Sequence, residues 1–508
     1  MTIRGPHKTV ALVNATLGVG GPEVDVEIAS GHVHAIRPAQ SAPSRKGVAR
    51  FDCRGAILVP GLEDAHVHMS QWASARRRVD LTEATSAQHA ATIVADARDR
   101  GPKTEQGSVL VGYGFRDGLW LDAPTDRVLE RALPGIPVVL QSNDMHTAWL
   151  SPAALQLLGN PTNQEGILRE QDCYAAVAAL TRSDQQSLDV SVVDAAQAAA
   201  RRGVTRILDF EYADTVTDWT RRAIHHDIAT RITCIVRMSD LDRAIDLGWN
   251  TGQIVSGTRG LVDIGYLKIF IDGSLNSRTA YCHHAYPQER PGEDLYFGLE
   301  ELTSQELNDV VRRGVAHGLL PALHAIGDRA VEMALNALDH VGCGGRIEHA
   351  QLVASRDLPR FGRPGLLVGI QPAHAPDDRD VAGIHWEGRT ERAFALASLL
   401  SAGADLRLGS DAPNAVLDPW DGIASAVART DDDRPPWHPE QALPLGAALR
   451  AASGGRSGVS VGDVADLTLL SADPRGMSFG DLKEMPIGGT LLAGRWTWRE
   501  PTEVLQLT

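Results

Sequence analysis

The feature that most restricts how this chain can fold is an alternation running through its middle. Short apolar runs at 108–111, 137–140, 205–208, 264–269, 319–323 and 366–370 have the length and composition of buried strands. Between them lie alanine-rich or amphipathic stretches such as 192–201, 304–317 and 329–341. Strand then helix, repeated, predicts a parallel sheet with helical crossovers. Carried over roughly 400 residues with no dinucleotide-binding glycine fingerprint, the pattern favours a closed β/α barrel, with a doubly wound open sheet as the alternative.

The two ends read differently. Val24, Val26 and Ile28 alternate with Asp25 and Glu27, and Ser30-Gly31 turns the chain into a second strand at 32–36. Near the other end, 465–470 is a strand-like run, and 490–492 and 495–498 flank the turn Ala493-Gly494. Such hairpin chemistry at both ends predicts one small sheet domain built from both termini, 1–58 with 460–508, around a barrel at 59–459.

The chain has 508 residues, 43% of them hydrophobic and 22% charged, enough for a large buried core. Its net charge of −15 and the absence of any long basic run argue against nucleic acid. The five cysteines are scattered and form no CxxC pair, which argues against a disulfide framework or a zinc ribbon. The first residues carry no apolar signal core, and no apolar run is long enough to span a bilayer. A cytoplasmic protein is therefore the expectation.

The chemistry collects where strand-like runs stop. An apolar run from Leu58 passes through Pro60-Gly61 and ends in the pair His66-x-His68. In extended chain, residues two apart share a face, so both imidazoles can meet one ion. That spacing alone is weak, since His32 and His34 repeat it on a hairpin with nothing beside them. The signal strengthens because His324, His349 and Asp411 each follow another apolar run, and Lys268 lies within one. At the C-terminal face of a barrel, residues distant in sequence become neighbours. Each also has a plain structural role open to it: a snorkelling lysine, a helix-capping aspartate, hydrogen-bonded core histidines.

In this order the segments PGLEDAHVH (60–68), LKIFIDGSLNSRTA (267–280), LHAIGDRAV (323–331), RIEHAQ (346–351) and LGSDAP (408–413) resemble the amidohydrolase superfamily, and within it the YtcJ-like (amidohydrolase 3) branch. GYGFRDGLW (112–120) and PVVLQSNDMHTAWL (137–150) are similar to the same branch's substrate-domain segments. The resemblance implies a (β/α)8 TIM-type barrel, a composite β-sandwich from both termini, and a substrate-domain insertion around 70–200. It implies metal ligation by His66, His68, His324, His349 and Asp411, with Lys268 as the lysine that can be carboxylated to bridge two ions. The expected cofactor is one or two divalent ions, zinc first, with manganese or iron as alternatives.

The branch includes an N-substituted formamide deformylase, so the expected reaction is hydrolysis of a non-peptide carbon–nitrogen bond in a small molecule. Metal-activated water would attack an amide or formamide carbonyl, with Asp411 as general base and then acid. His146 and Arg278 would steady charge on the tetrahedral oxygen. Tyr113, Trp120, Trp149, Phe210, Tyr212 and Trp386 would line a pocket for an apolar or aromatic substituent, with Asp144 a further substrate contact. Packing is the competing role for most of these aromatics. A deaminase, lactonase or decarboxylase on the same site, or a binding protein that keeps the fold, are the alternatives. A homodimer is expected, with a small-molecule substrate and neither nucleic acid nor membrane as partner.

Overall fold

A computed structural model of the chain describes residues 9–40, 48–100, 109–115, 117, 120–142, 147–159, 164–181, 184–275, 277–287, 292 and 296–500. The chain forms two compact units, one from 1–72 and 193–508, the other from 73–192.

In the larger unit eight strands lie parallel in chain order. They are β1 (Leu62–Val67), β2 (Val204–Asp209), β3 (Arg231–Arg237), β4 (Val262–Phe270), β5 (Pro321–Ala325), β6 (Gly345–His349), β7 (Leu366–Ile370) and β8 (Asp405–Leu408). Their side chains are almost all buried, as a sheet covered on both faces requires. Just past the strand ends, a parallel bridge joins Val67 to Ala412 and closes the barrel. Asp411 N donates to His66 O at 2.7 Å and His68 N to Ala412 O at 2.8 Å.

Helices supply the crossovers. Ser304–Ala316 is started by a capping box between Thr303 and Glu306, and Asp328–Val341 is stopped by Gly342 at φ 70°. Among helices of the described residues, none is long and apolar enough to cross a membrane.

Both ends of the chain contribute to one further sheet of eight strands, running Arg495–Arg499, Ile487–Leu492, Leu467–Leu470, Ile57–Pro60, Val10–Leu17, Glu23–Ala29, His32–Pro38, with Ala49–Asp52 beside Val10–Leu17. The turns at Ser30-Gly31 (φ 51° and 80°) and Ala493-Gly494 (φ 48° and 74°) are left-handed at both positions, as tight hairpins need. The barrel and this sheet belong to the same compact unit. Thr468 and Thr490 hydroxyls donate at 2.7 Å to the carbonyls of Gly203 and Ala200, just before β2.

Two sequence expectations change here. The apolar run that ends in His66-x-His68 is two strands, because Ile57–Pro60 pairs with Leu467–Leu470 in the terminal sheet before β1 begins. Gly61 makes the switch. The runs near 110 and 138 are strands, Leu110–Phe115 and Val138–Ser142, but they pair in the smaller unit and not in the barrel. Periodicity finds a strand without naming its sheet. The smaller unit is a five-stranded sheet with its own apolar core around Phe115, Leu140 and Trp149.

Gly61 has no room for a side chain, since a Cβ there would lie 2.3 Å from Thr205 Oγ1 and 2.4 Å from its Cγ2. Gly61→Ala should therefore cost about 1–3 kcal/mol and lower the thermal midpoint by several degrees. Adding Thr205→Ala should recover part of the loss in a thermal melt. An unchanged midpoint in the single variant would contradict this packing.

Candidate metal centre

The barrel's C-terminal mouth is built from the ends of β1, β4, β5, β6 and the turn after β8. His66 is the last but one residue of β1 and His68 follows the strand. His66 Nε2 lies 3.5 Å and His68 Nε2 3.1 Å from Asp411 Oδ1. One ligand atom from each of these three residues lies within 4.8 Å of the other two. Asp411 Oδ1 is buried and, among the described residues, makes no hydrogen bond despite these neighbours. Two imidazole nitrogens and a carboxylate oxygen that converge in this way suit a divalent cation. The donor set therefore fits a metal.

His324 and His349 stand beside this group. Their rings are 4.4 Å apart, and that of His349 is 5.0 Å from that of His66. His324 Nε2 is 3.1 Å from Gly273 O, and His349 Nδ1 is buried without a hydrogen-bond partner among the described residues. Lys268, on β4, is buried with Nζ 4.9 Å from the ring centre of Phe210 and 4.7 Å from that of Phe270. The backbone is held away from its usual minima at this rim: φ is 76° at His349, 43° at Ala350 and 57° at Asp411. Left-handed φ at non-glycine residues costs about 1–3 kcal/mol each and persists only where the surroundings impose it. Here it re-aims side chains at strand ends.

Burial sets the protonation of the site. It lowers His66 to about 4 and His324 to about 3, in each case helped by the Lys268 charge, and it holds His349 well below its ordinary value. All three imidazoles are therefore neutral at neutral pH. Burial lowers Lys268 to about 8, although Glu348 and Asp411 pull the other way. For Asp411 burial pushes upward, but His68, His66, His349 and His374 outweigh it and keep the carboxyl ionised. Its Oδ2 accepts from Asn414 Nδ2 at 2.9 Å, which leaves Oδ1 facing the imidazoles.

Surrounding carboxylates fix the frame. Asp64 Oδ1 accepts from Ser410 N at 2.8 Å and from His66 N at 3.3 Å, tying β1 to the turn after β8. Glu211 Oε2 accepts from Ser70 N and Gln71 N, both at 3.0 Å, and so caps the helix Met69–Ala75 that begins just after His68.

The structure brings His66, His68, Lys268, His324, His349 and Asp411 to this one face. Arg278 lies in the loop after β4, half-buried, with φ 60°. Tyr212 and Phe270, at the ends of β2 and β4, are 49% and 36% exposed and pack edge to face at 5.7 Å. Asp144 and His146 lie outside the described residues. Trp386, expected as a substrate contact, is fully buried among Leu275, Tyr286, Ile326 and Phe394. Trp149 is likewise fully buried, in the smaller unit, where it packs against Phe115 and Trp120. Both are core residues here, because a large ring next to apolar runs gains most from burial.

The sequence reading missed Glu348, whose Oε2 lies 3.0 Å from His66 Nδ1, and the stacking of Phe210 on His66 at 3.9 Å. It also passed over Gln371 and His374, after β7, which keep buried polar atoms without a protein partner. The available signal was a carboxylate inside the strand of Arg346–His349 and a glutamine directly after an apolar run.

Comparison with known proteins agrees with this geometry. The amidohydrolase family model matches residues 50–496. This chain belongs to the amidohydrolase family. It is 28% identical over 483 residues to YtcJ of Bacillus subtilis (strain 168), covering 87% of this chain and 89% of that one. It is 25% identical over 498 residues to the N-substituted formamide deformylase of Arthrobacter pascens, covering 87% and 89%. Among solved structures, a metal-dependent hydrolase from Pyrococcus horikoshii OT3 superposes with a TM-score of 0.75 at 22% identity, covering 93% of this chain and 99% of that one, which shows a shared fold. Family membership makes the chain a hydrolase with a barrel and an added sheet domain.

The buried histidines give a pH test on metal-free protein. Unfolded imidazoles protonate near 6.5, whereas His66 and His324 resist to about 4 and about 3. Between those limits the unfolded chain binds more protons, so this contribution to stability falls as pH drops below about 6.5. After chelation the thermal midpoint should decline from pH 7 to pH 4, and less steeply in His324→Gln. Identical slopes in the two proteins would contradict the assignment.

Proposed function

We propose that this amidohydrolase cleaves a non-peptide carbon–nitrogen bond in a small amide, N-substituted formamides being the favoured class. The convergence of His66 Nε2, His68 Nε2 and Asp411 Oδ1 carries the reading. Similarity to the Arthrobacter pascens deformylase along most of both chains supports the substrate class.

His66, His68 and Asp411 would hold the ion, and His349, His324 and Lys268 would be the residues to hold a second. Two nitrogens and one oxygen favour zinc, with manganese or iron as alternatives. Bound there, a divalent metal supplies a Lewis acid that acidifies water and polarises a carbonyl. Asp411 accepts the proton of the attacking water and returns it to the departing nitrogen, because an amine leaves poorly as an anion. With Oδ1 turned toward the ion, the proton would be handled at Oδ2, where Asn414 Nδ2 donates. Arg278 is the proposed partner for negative charge on the tetrahedral oxygen. Lys268, with an amine that burial brings to about 8, is a candidate for carboxylation by carbon dioxide, which would turn a cation into an oxygen ligand.

Tyr212 and Phe270 offer exposed aromatic surface, the Phe270 ring lying 5.1 Å from that of His324. An aromatic or alkyl substituent on the amide nitrogen would pack against them.

The test is a panel of N-formyl and N-acyl amines with amine and acid measured together. Equal release of both is expected, and Asp411→Asn should retain metal while losing roughly 10²- to 10⁴-fold in turnover. A near-normal rate in that variant removes the assigned base. Release of ammonia or carbon dioxide, or turnover of lactones alone, would move the chain to another reaction of the same site. In the same panel, Phe270→Ala should raise KM for N-benzyl substrates about tenfold more than for N-methyl ones. Equal effects on both would remove the aromatic rim from substrate binding.

A further inference from the structure

Among the histidines of the candidate metal centre, His66 has one ring nitrogen held by a buried carboxylate outside the converging donor set. Its Nδ1 lies 3.0 Å from Glu348 Oε2, on β6 across the barrel interior. The other carboxylate oxygen, Oε1, accepts from Arg346 Nε at 2.5 Å, and Arg346 in turn donates through its second nitrogen to Ala65 O at 3.2 Å. The chain of contacts thus begins and ends on β1, at residues 65 and 66. His66, Glu348 and Arg346 are each no more than 1% exposed. By contrast, Nδ1 of His68 and of His349 is buried with no hydrogen-bond partner among the described residues.

The neighbouring strands leave room for this arrangement. A Cβ on Gly369, in β7, would fall 2.0 Å from Glu348 Oε2, and one on Gly409, after β8, would fall 2.7 Å from His66 Cβ and N. Glycine at 369 leaves the carboxylate its place beside the imidazole, and glycine at 409 leaves room for His66 itself. Phe210 stacks on the ring of His66 at an interplanar angle of 11°, which fixes the remaining rotation.

We infer that Glu348, itself clamped by Arg346, is a positioning residue that fixes the tautomer and orientation of His66 for the metal. This rests on the metal-centre reading above. A carboxylate can only accept here, so the hydrogen bond places the imidazole proton on Nδ1. Nε2, the atom 3.5 Å from Asp411 Oδ1, is left with its lone pair directed at the cation position. Carboxylates that hold a ligand histidine in this way raise its basicity and restrict its ring, and losing them costs about 10- to 100-fold in metal affinity. Arg346 has a separate effect. It balances the carboxylate's buried charge and occupies Oε1, so that Oε2 stays on His66.

Chelator competition on the full chain, with zinc as the probe, tests this directly. Glu348→Gln keeps the shape but offers His66 a weaker acceptor and sets an amide against Arg346. Zinc dissociation should tighten in no case and loosen by about 10- to 100-fold, while the thermal midpoint of the metal-free protein moves by only a few degrees. Gly369→Ala, which displaces the carboxylate without changing its chemistry, should loosen zinc in the same direction. In a cobalt-substituted protein, the visible ligand-field bands should shift in both variants. If Glu348→Gln fails to fold because Arg346 is left unbalanced, the double variant Arg346→Gln/Glu348→Gln carries the same expectation. Zinc affinity within twofold of the parent in a folded Glu348 variant overturns the inference. A parent chain that binds no divalent metal would instead remove the metal-centre reading itself.

Discussion

Closure of the barrel between its first and last strands is the constraint on which the site depends. The hydrogen bond from Asp411 N to His66 O and the bond from His68 N to Ala412 O put the two ends of the sheet in register. The same residues carry the side chains that converge. A slip of one position would turn His66 away from the interior and carry His68 with it, since side chains alternate along a strand. Asp64 reinforces this register by accepting from backbone amides on both sides of the seam. Glycines at 61 and 409 allow the close approach, each meeting a neighbour at less than 3 Å if given a Cβ.

Burial then does chemical work that the covalent structure could not. Exposed histidines would protonate near neutrality and bind metal poorly. In this interior they stay neutral well below pH 6, whereas Asp411 stays ionised, its carboxyl drawn down chiefly by its contact with His68. Other carboxyls nearby go the opposite way. Asp64 and Asp272 are raised to about 7 by burial, even though each accepts backbone hydrogen bonds. The mouth therefore contains carboxyl groups of two kinds, one kept charged by its neighbours and others close to neutral. The left-handed backbone at His349 and Asp411 belongs to the same economy of position, since it turns side chains at the end of β6 and after β8 toward one point.

Much of this was legible in the sequence, for physical reasons. A barrel strand is a short apolar run, and a polar residue placed just where such a run stops points into the mouth. His66, His68, His324, His349 and Asp411 are all of this kind. What stayed hidden was pairing. The runs near 110 and 138 look like barrel strands because local periodicity is the same in any buried parallel sheet. The break at Gly61 is invisible without Thr205, which lies far along the chain. Glu348 was hidden by its own setting, since an acid beside a basic residue reads as an ordinary ion pair until His66 is found across the barrel. Trp386 shows the reverse error, in which a large aromatic in a loop segment suggests a ligand contact but has been taken into the core.

The most direct measurement of the central claim is anomalous scattering from a crystal of the protein grown with zinc, collected on both sides of the zinc absorption edge. A single strong peak, or the stronger of two, should lie within bonding distance of His66 Nε2, His68 Nε2 and an Asp411 carboxylate oxygen. A peak bound elsewhere, with these three side chains drawn apart or hydrogen-bonded among themselves, would contradict the account.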